Sequence, residues 1–496
     1  MSDERISYRF GPLERRGLLG GIGAGRAATL LAGAIGAFAV LDASASAGGA
    51  VAGTVLVALA LALTVLPVGG RTAQEWTPVA LAFGLRHARR RRAFRSPAPS
   101  LGMPWTPATG RSPRDPAPSP PPALRDVAVV ETRYRNGSMG ALSERGGRRL
   151  TAVLACRVMS FALLDPAAQE RRLARWGLVL SGAAGGAVRR LQWIERTAPA
   201  QGDQLARWLH HARDPAIPLR GAPIIESYLE LIGTTARVAQ AHEILLAVQV
   251  DTARVRDRGD GAVARALVQA AERLAQRLEA AEVSVLGALS AGQLARAVRT
   301  AFDPYARAEL AALETVAESR DGLSEVNAWP LGADEAWDHY RTDGARHATY
   351  WIGGWPRVEV SPMFMDALLG RSSVVRTVAV TFEPIAPERA TREVEAAVTR
   401  DRADNELRRR FGQSETARQR QAQEAAARRE SELAAGHGEV RLAGFVTVTG
   451  RDEDDLRRAS AEMLEHAARA RLELHRMYGQ QAEAFTFTLP LARGLR

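Results

Sequence analysis

The sequence has no lysine: all 66 basic residues are arginine. That absence excludes two chemistries. A phosphate-binding loop needs the lysine of GxxxxGK[ST] to reach the β- and γ-phosphates, and a Schiff-base enzyme needs a lysine amine. Cysteine is nearly absent as well, with Cys156 alone in the apolar run "LTAVLACRV". One thiol makes neither a disulfide framework nor a cysteine-based zinc site, and its neighbours read as a buried strand. HExxH, GxSxG and CxxC do not occur. The chain is therefore expected to be no enzyme, with no catalytic residue, cofactor, metal or small-molecule substrate.

Acidic residues are scarce in one region only. Residues 1–123 carry 14 arginines against 6 acids, whereas residues 124–496 carry 52 against 49. A nucleic-acid-binding protein shows its basic excess on a folded domain, so nucleic acid is not an expected ligand of the body. The excess gathers instead in "RHARRRRAFR", residues 86–95. Two uncharged apolar runs precede it, residues 27–41 and 50–68. The second is rich in valine and leucine, which favour bilayer insertion. The first reaches span length only when extended back to Ile22, which includes Arg26, and an arginine near a helix end snorkels to the headgroups.

These runs predict a transmembrane helical hairpin over residues 22–68, preceded by a cytoplasmic segment 1–21. Arg5, Arg9, Arg15, Arg16 and Arg26 precede it and the basic cluster follows it, with none between. Positive charge on both flanks places both termini in the cytoplasm of a bacterial cell. Arg86, Arg89, Arg90, Arg91, Arg92 and Arg95 are then topology anchors touching inner-membrane lipid, within a juxtamembrane segment 69–95. Gly17, Gly21 and Gly25 recur at four-residue spacing, which suits close helix packing.

Residues 96–123 are saturated with proline and read as an extended spacer. Beyond it the chain reads as an α+β body built twice, residues 124–320 and 321–496. "VRRLQWIERTAPAQGDQLARWLHHARD" from Val188 and "VRTVAVTFEPIAPERATREVEAAVTRD" from Val375 share strand, Ala-Pro, helix and a closing Arg-Asp. Each half is expected to run strand, strand, helix, helix, strand, helix, as a ferredoxin-like sandwich. In the first half Val263, Leu267, Leu274 and Leu278 share a helix face; in the second Leu456, Met463, Ala467 and Leu474 do. A charged helical hairpin at 387–436, broken at Gly412, has few apolar positions. It is either a solvated arm or a partner contact, the latter through Arg408, Arg409, Arg410 and Phe411.

Three polar stretches invite chemistry. In "AWDHY", Asp338 and His339 are adjacent and point different ways on a strand or helix; neither they nor His210 and His211 receive a role. Asn136 matches a glycosylation acceptor, which has no meaning in the cytoplasm. In "MYGQQAEAF", Gly479 is expected to cap the preceding helix and Tyr478 to contact a partner.

The opening "YRFGPLERRGLLGGIGAGR" with its two spans resembles the PrgI-like membrane hairpin of type IV secretion and conjugation systems. "GFVTVTG" and "LHRMYGQQAEAFTFTLPL" resemble the N-terminal region of TraC-like conjugation ATPases. Together with "WPRVEVSPMFMDALLG", they make the chain similar to a family of actinobacterial integral membrane proteins that joins the two parts. The EccE-type subunit of type VII secretion is a second resemblance. The chain stops where the ATPase motor would begin. What the resemblance implies is a membrane adaptor whose partners are a secretion-type ATPase and other membrane subunits.

Overall fold

The computed structural model describes residues 24–44, 46–65, 67–68, 71–89, 92–96, 119–135, 137–157, 161–184, 186–199, 223–224, 226–227, 240–257, 259–307, 328–356, 358–370, 372–396, 399, 427–429, 431, 433 and 438–495. Its contacts divide the chain into two units, residues 1–8, 92–387 and 438–496 in one, and 9–91 with 388–437 in the other.

In the second of these units, helix α1 (Ala24–Ala43) is followed by α2 (Ala47–Val65). The two pack where side chains are small. A Cβ on Gly33 would stand 2.5 Å from Ala60 Cβ, and one on Gly53 would stand 3.3 Å from the Ala37 carbonyl. Among the described residues, Ala47–Thr64 is the one stretch long and apolar enough to cross a membrane, and the apolar part of α1, Ala28–Ala43, is shorter. The short strands β1 (Pro67–Val68) and β2 (Arg71–Thr72) pair, and α3 (Ala73–Ala88) follows. Its start is written in the sequence: the Thr72 N–H donates to Glu75 Oε2 at 2.9 Å, half of a capping box.

The first unit is built on one antiparallel sheet. Its strands are β3 (Ala93–Arg95), β4 (Val127–Tyr134), β5 (Gly137–Glu144), β6 (Arg149–Arg157), β7 (Val188–Pro199), β8 (Gln240–Asp251), β9 (Ser284–Ala288), β10 (Gly332–Glu335), β11 (Tyr340–Thr342), β12 (Ala345–Gly354), β13 (Val375–Ile385), β14 (Glu439–Gly450) and β15 (Glu473–Arg476). The order across the sheet is β3-β10-β11-β12-β14-β13-β7-β8-β6-β5-β4, with β15 beside β12 and β9 beside β6. The pairing pattern occurs twice. In one half β9 and β8 flank β6, and β7 pairs β8; in the other β15 and β14 flank β12, and β13 pairs β14. The halves meet where β7 runs antiparallel to β13, from Leu191 opposite Phe382 to Thr197 opposite Arg376.

Both faces of the sheet are covered, which explains why strands such as "EILLAVQV" are apolar throughout rather than alternating. Leu246, Val248 and Val250 of β8 join one core with helix α5 (Ala262–Ala280), while Leu245 and Ala247 join another with α6 (Ala291–Phe302). Leu267, Leu274 and Leu278 are buried on α5 and Val263 packs at the margin, as the 3.6-residue spacing predicts. Over the other half, α7 (Asp366–Leu369) and α8 (Glu453–Arg469) cover Val378, Val446 and Val448. Helix α9 (Gln481–Phe485) and the segment that follows lie with α6 on the opposite face.

Several expectations need correction. Helix α4 (Pro166–Ser181) stands between β6 and β7, where two strands in succession were expected. Asp165 caps it by accepting from the Ala168 N–H at 2.8 Å, and Pro166 occupies the first turn. Leu474 does not extend the face of Leu456, Met463 and Ala467. The helix stops at Arg469, Arg471 takes a positive φ of 57°, and Leu474 belongs to β15. Gly479 caps no helix either. With φ of 67° it makes the turn from β15 into α9. The end of the basic cluster lies inside the folded body: β3 pairs β10, with Arg95 opposite Gly332 and Phe94 opposite Ala333.

Candidate interaction site

Two stretches far apart in sequence meet at one corner of the sheet. Residues 336–339 form the tight loop between β10 and β11, closed by the Ala336 N–H donating to the His339 carbonyl at 2.9 Å. Residues 477–480 leave β15, which lies on the same edge of β12 as β11, the Met477 N–H donating to the Thr349 carbonyl at 3.0 Å. The Gly479 N–H donates to the Trp337 carbonyl at 2.6 Å and fastens the two loops together. A hairpin and an edge strand, both laid against β12, thus bring "AWDHY" and "MYGQQ" side by side.

The side chains form one cluster. The Trp337 and Tyr478 rings stack with centroids 6.5 Å apart and planes 25° from parallel. Arg476 lies 5.7 Å from the centroids of both Tyr478 and Tyr350, a cation–π arrangement on two rings. Its Nε donates to the Asp338 carbonyl at 2.8 Å and its guanidinium stands 3.7 Å from the Asp338 carboxylate. That carboxylate also meets His339 Nδ1 at 2.8 Å. Trp337 is 39% exposed.

Asp338 and His339 do pair, because a loop rather than a strand carries them, but the cluster holds no serine, threonine or cysteine. Cys156 is buried on β6, and burial pushes its thiol up to about 11, away from thiolate chemistry. Among the described residues no group of three or more His, Cys, Asp or Glu side chains is set to hold a metal ion. The cluster can present an aromatic plane, a guanidinium-backed carboxylate and a hydrogen-bonded imidazole to another protein.

The residues singled out from the sequence divide as follows. Tyr478 is in the cluster. Arg86 lies in the last turn of α3, 6.0 Å from the Phe83 ring, and Arg89 follows as its C-cap. Arg92 borders β3, its carbonyl accepting from the Glu335 N–H at 3.1 Å and its Nε standing 3.8 Å from Asp334. Arg95 is in β3. Arg86 and Arg89 thus belong to a helix, and Arg92 and Arg95 to the sheet edge. A Cβ on Gly25 would meet Gln74 of α3 at 2.9 Å, so the close approach there is to α3, whereas Gly33 and Gly53 serve α1 and α2. Gly17, Gly21, Arg90, Arg91, Asn136, His210, His211, Arg408, Arg409, Arg410 and Phe411 lie outside the described residues, as does most of the charged segment 387–436. Sequence reasoning missed Trp337 and Arg476; the signal was an exposed-type tryptophan in a polar loop.

Residues 238–352 match the family described as "Putative type VII ESX secretion system translocon, EccE". The match begins just before β8, crosses from one half of the sheet into the other, and ends within β12; it includes Trp337, Asp338 and His339. No curated protein matches the chain.

Proposed function

We propose that the chain is a non-catalytic membrane component of a type VII secretion machine, an adaptor whose cytoplasmic body engages another subunit. The observation that carries this reading is the EccE match, which runs through consecutive elements of the sheet and into the Trp337 loop. It favours type VII over the conjugation-type machine expected from the PrgI-like and TraC-like resemblances, for which the comparisons give no support. A membrane-tethered nucleic-acid-binding protein gains nothing from them either.

The finer parts of the reading rest on physical argument. Helices α1 and α2 form a two-span hairpin: Leu31, Ile35, Phe38, Val51, Val55 and Leu59 are each more than half exposed, which suits lipid and not water. Each half of the body is a ferredoxin-like unit, since its strands lie in the order fourth, first, third, second, with antiparallel neighbours throughout. The Trp337–Tyr478 cluster is the docking patch. Stacked aromatics beside an arginine make the composition of interface hot spots. A secretion-type ATPase is the partner this adaptor would hold.

The test is genetic. Deleting the gene should stop export of the small WxG-type proteins that such machines secrete, and the wild-type chain should restore it. The Trp337→Ala/Tyr478→Ala chain should reach the membrane at normal abundance yet fail to restore export. Intact export in the deletion strain, or loss of conjugative DNA transfer in its place, overturns the reading.

A further inference from the structure

The two halves differ at their outer edges. In one, β10 is capped by β3. In the other, the corresponding strand is β4, and among the described residues it pairs with β5 alone. It is eight residues long, and Ala128, Val130, Glu131 and Arg133 are exposed. An edge of that length is a template for another strand unless something blunts it.

The hairpin fixes which backbone groups are free. Tyr134 is opposite Gly137 with two residues joining the strands, and the pair flanking such a turn is hydrogen-bonded. Tyr134, Thr132, Val130 and Ala128 therefore spend their N–H and C=O groups on β5. Val127, Val129, Glu131 and Arg133 aim theirs outward.

Charged side chains at an edge usually discourage pairing. Here the outward positions carry opposite charges two residues apart, which makes them self-complementary. When two β4 strands run antiparallel about a two-fold axis at Thr132, Glu131 of each copy faces Arg133 of the other. On the opposite side of the strand Val130 meets Tyr134. A two-residue slip either way sets Glu131 against Glu131 or Arg133 against Arg133, which like-charge repulsion disfavours. A one-residue slip loses the outward hydrogen bonds.

We propose that two copies of the chain join edge to edge through β4, in the register that pairs Glu131 with Arg133 twice, so that the two sheets become one. The occupant of this edge is a second copy, since the complementarity is between the strand and itself. The inference rests on the β4 edge and is independent of the type VII reading.

Thr132 provides the test. On the axis it faces its own counterpart in a non-hydrogen-bonded pair, with Cα atoms roughly 4.5 Å apart, inside the range a disulfide bridges. The full-length Thr132→Cys chain, oxidised mildly in native membranes, should form a dimer that reductant collapses. The wild-type chain should not, because Cys156 is buried. Val130→Cys should stay monomeric, since Val130 faces Tyr134 in this register. Adding Glu131→Arg to Thr132→Cys should lower the dimer yield roughly tenfold, and adding Arg133→Glu as well should restore it. The proposal is overturned if Thr132→Cys stays monomeric, if it links instead to a protein of another mass, if Val130→Cys links equally well, or if charge reversal leaves the yield unchanged.

Discussion

His347 is fully buried on β12, against the end of α6. Its Nε2 lies 3.0 Å from the Phe302 carbonyl at the end of α6, and its Nδ1 lies 2.9 Å from the Thr449 hydroxyl on β14. A carbonyl only accepts, so Nε2 carries the proton and Nδ1 accepts from Thr449. Burial opposes the imidazolium and drives its pKa down to about 3. An unfolded histidine titrates near ~6.5. Between those values the unfolded chain binds more protons than the folded one, so stability falls as pH is lowered from about 6.5 toward 3. His347→Gln should cost about 1–3 kcal/mol at pH 7.5, through lost hydrogen bonds. The gap to wild type should narrow as pH falls through that window, followed by urea denaturation at several pH values. A gap independent of pH would show that His347 is not the titrating group.

At the scale of elements, the segment after α9 does more than close the chain. It crosses the seam between β7 and β13 and takes up buried polar groups from both halves. Gln192 donates to the Phe487 carbonyl at 2.8 Å and accepts from the Ala492 N–H at 2.8 Å. Gln249 donates to the Leu491 carbonyl at 2.9 Å, Thr381 to the Arg493 carbonyl at 2.9 Å, and Arg190 to the Leu495 carbonyl at 2.7 Å. Arg190 also holds Glu383 across the seam at 2.9 Å. Gly494 is fitted to this course: its φ is 96°, and a side chain there would run into Phe445. Ending the chain after Thr488 should therefore disrupt the body. Losing buried Leu489 and Leu491 alone forfeits on the order of 5 kcal/mol, Gln192 loses the Ala492 N–H that donates to it, and Gln249, Thr381 and Arg190 lose the carbonyls of Leu491, Arg493 and Leu495. Near-UV circular dichroism and denaturant titration of the truncated chain would show it; a cooperative transition at the wild-type midpoint would refute it.

How much of this was legible follows from where each element gets its stability. The long central strands are visible as apolar runs because they are buried on both faces, and α5 is visible because one face is buried. Helix α4 is equally legible at its start, in the Asp165–Pro166 pair. The short strands β9, β11 and β15 carry no pattern of their own and exist through their partners. β3 is "AFR" inside an arginine cluster, where charge conceals the pairing. The Trp337–Tyr478 contact joins residues 141 positions apart and depends on β10, β11 and β15 flanking β12 correctly; single residues could be noticed in advance, but their meeting could not.

For the whole molecule the first matter is which side of the membrane the body occupies. Arginines flank the proposed hairpin and not its tip, so the tip should face outward and the body inward. Reporter fusions at Ser46 and Arg496 should report opposite compartments, the second cytoplasmic. An extracytoplasmic signal at Arg496 would reverse the assignment. Substituting Arg86 and Arg89 by glutamine should weaken this orientation and spare the sheet, whereas Arg92 is part of the sheet edge and its loss should also loosen β3.

The placement of β3 sets how the molecule carries tension. Any pull arriving along the chain from its N-terminal side reaches Arg92–Arg95 first, and there it is borne by a ladder of only three register pairs and its flanking bonds. Among the described residues the next strand in sequence is β4, at the far edge of the sheet. Across ten strand intervals the sheet is roughly 48 Å wide if laid flat. The intervening chain, residues 97–121, can extend to roughly 78 Å at proline-rich dimensions. The contour thus exceeds the width it must cross. If β3 peels away, the two halves stay joined at the seam. The edge strand is a mechanical fuse in series with the tether.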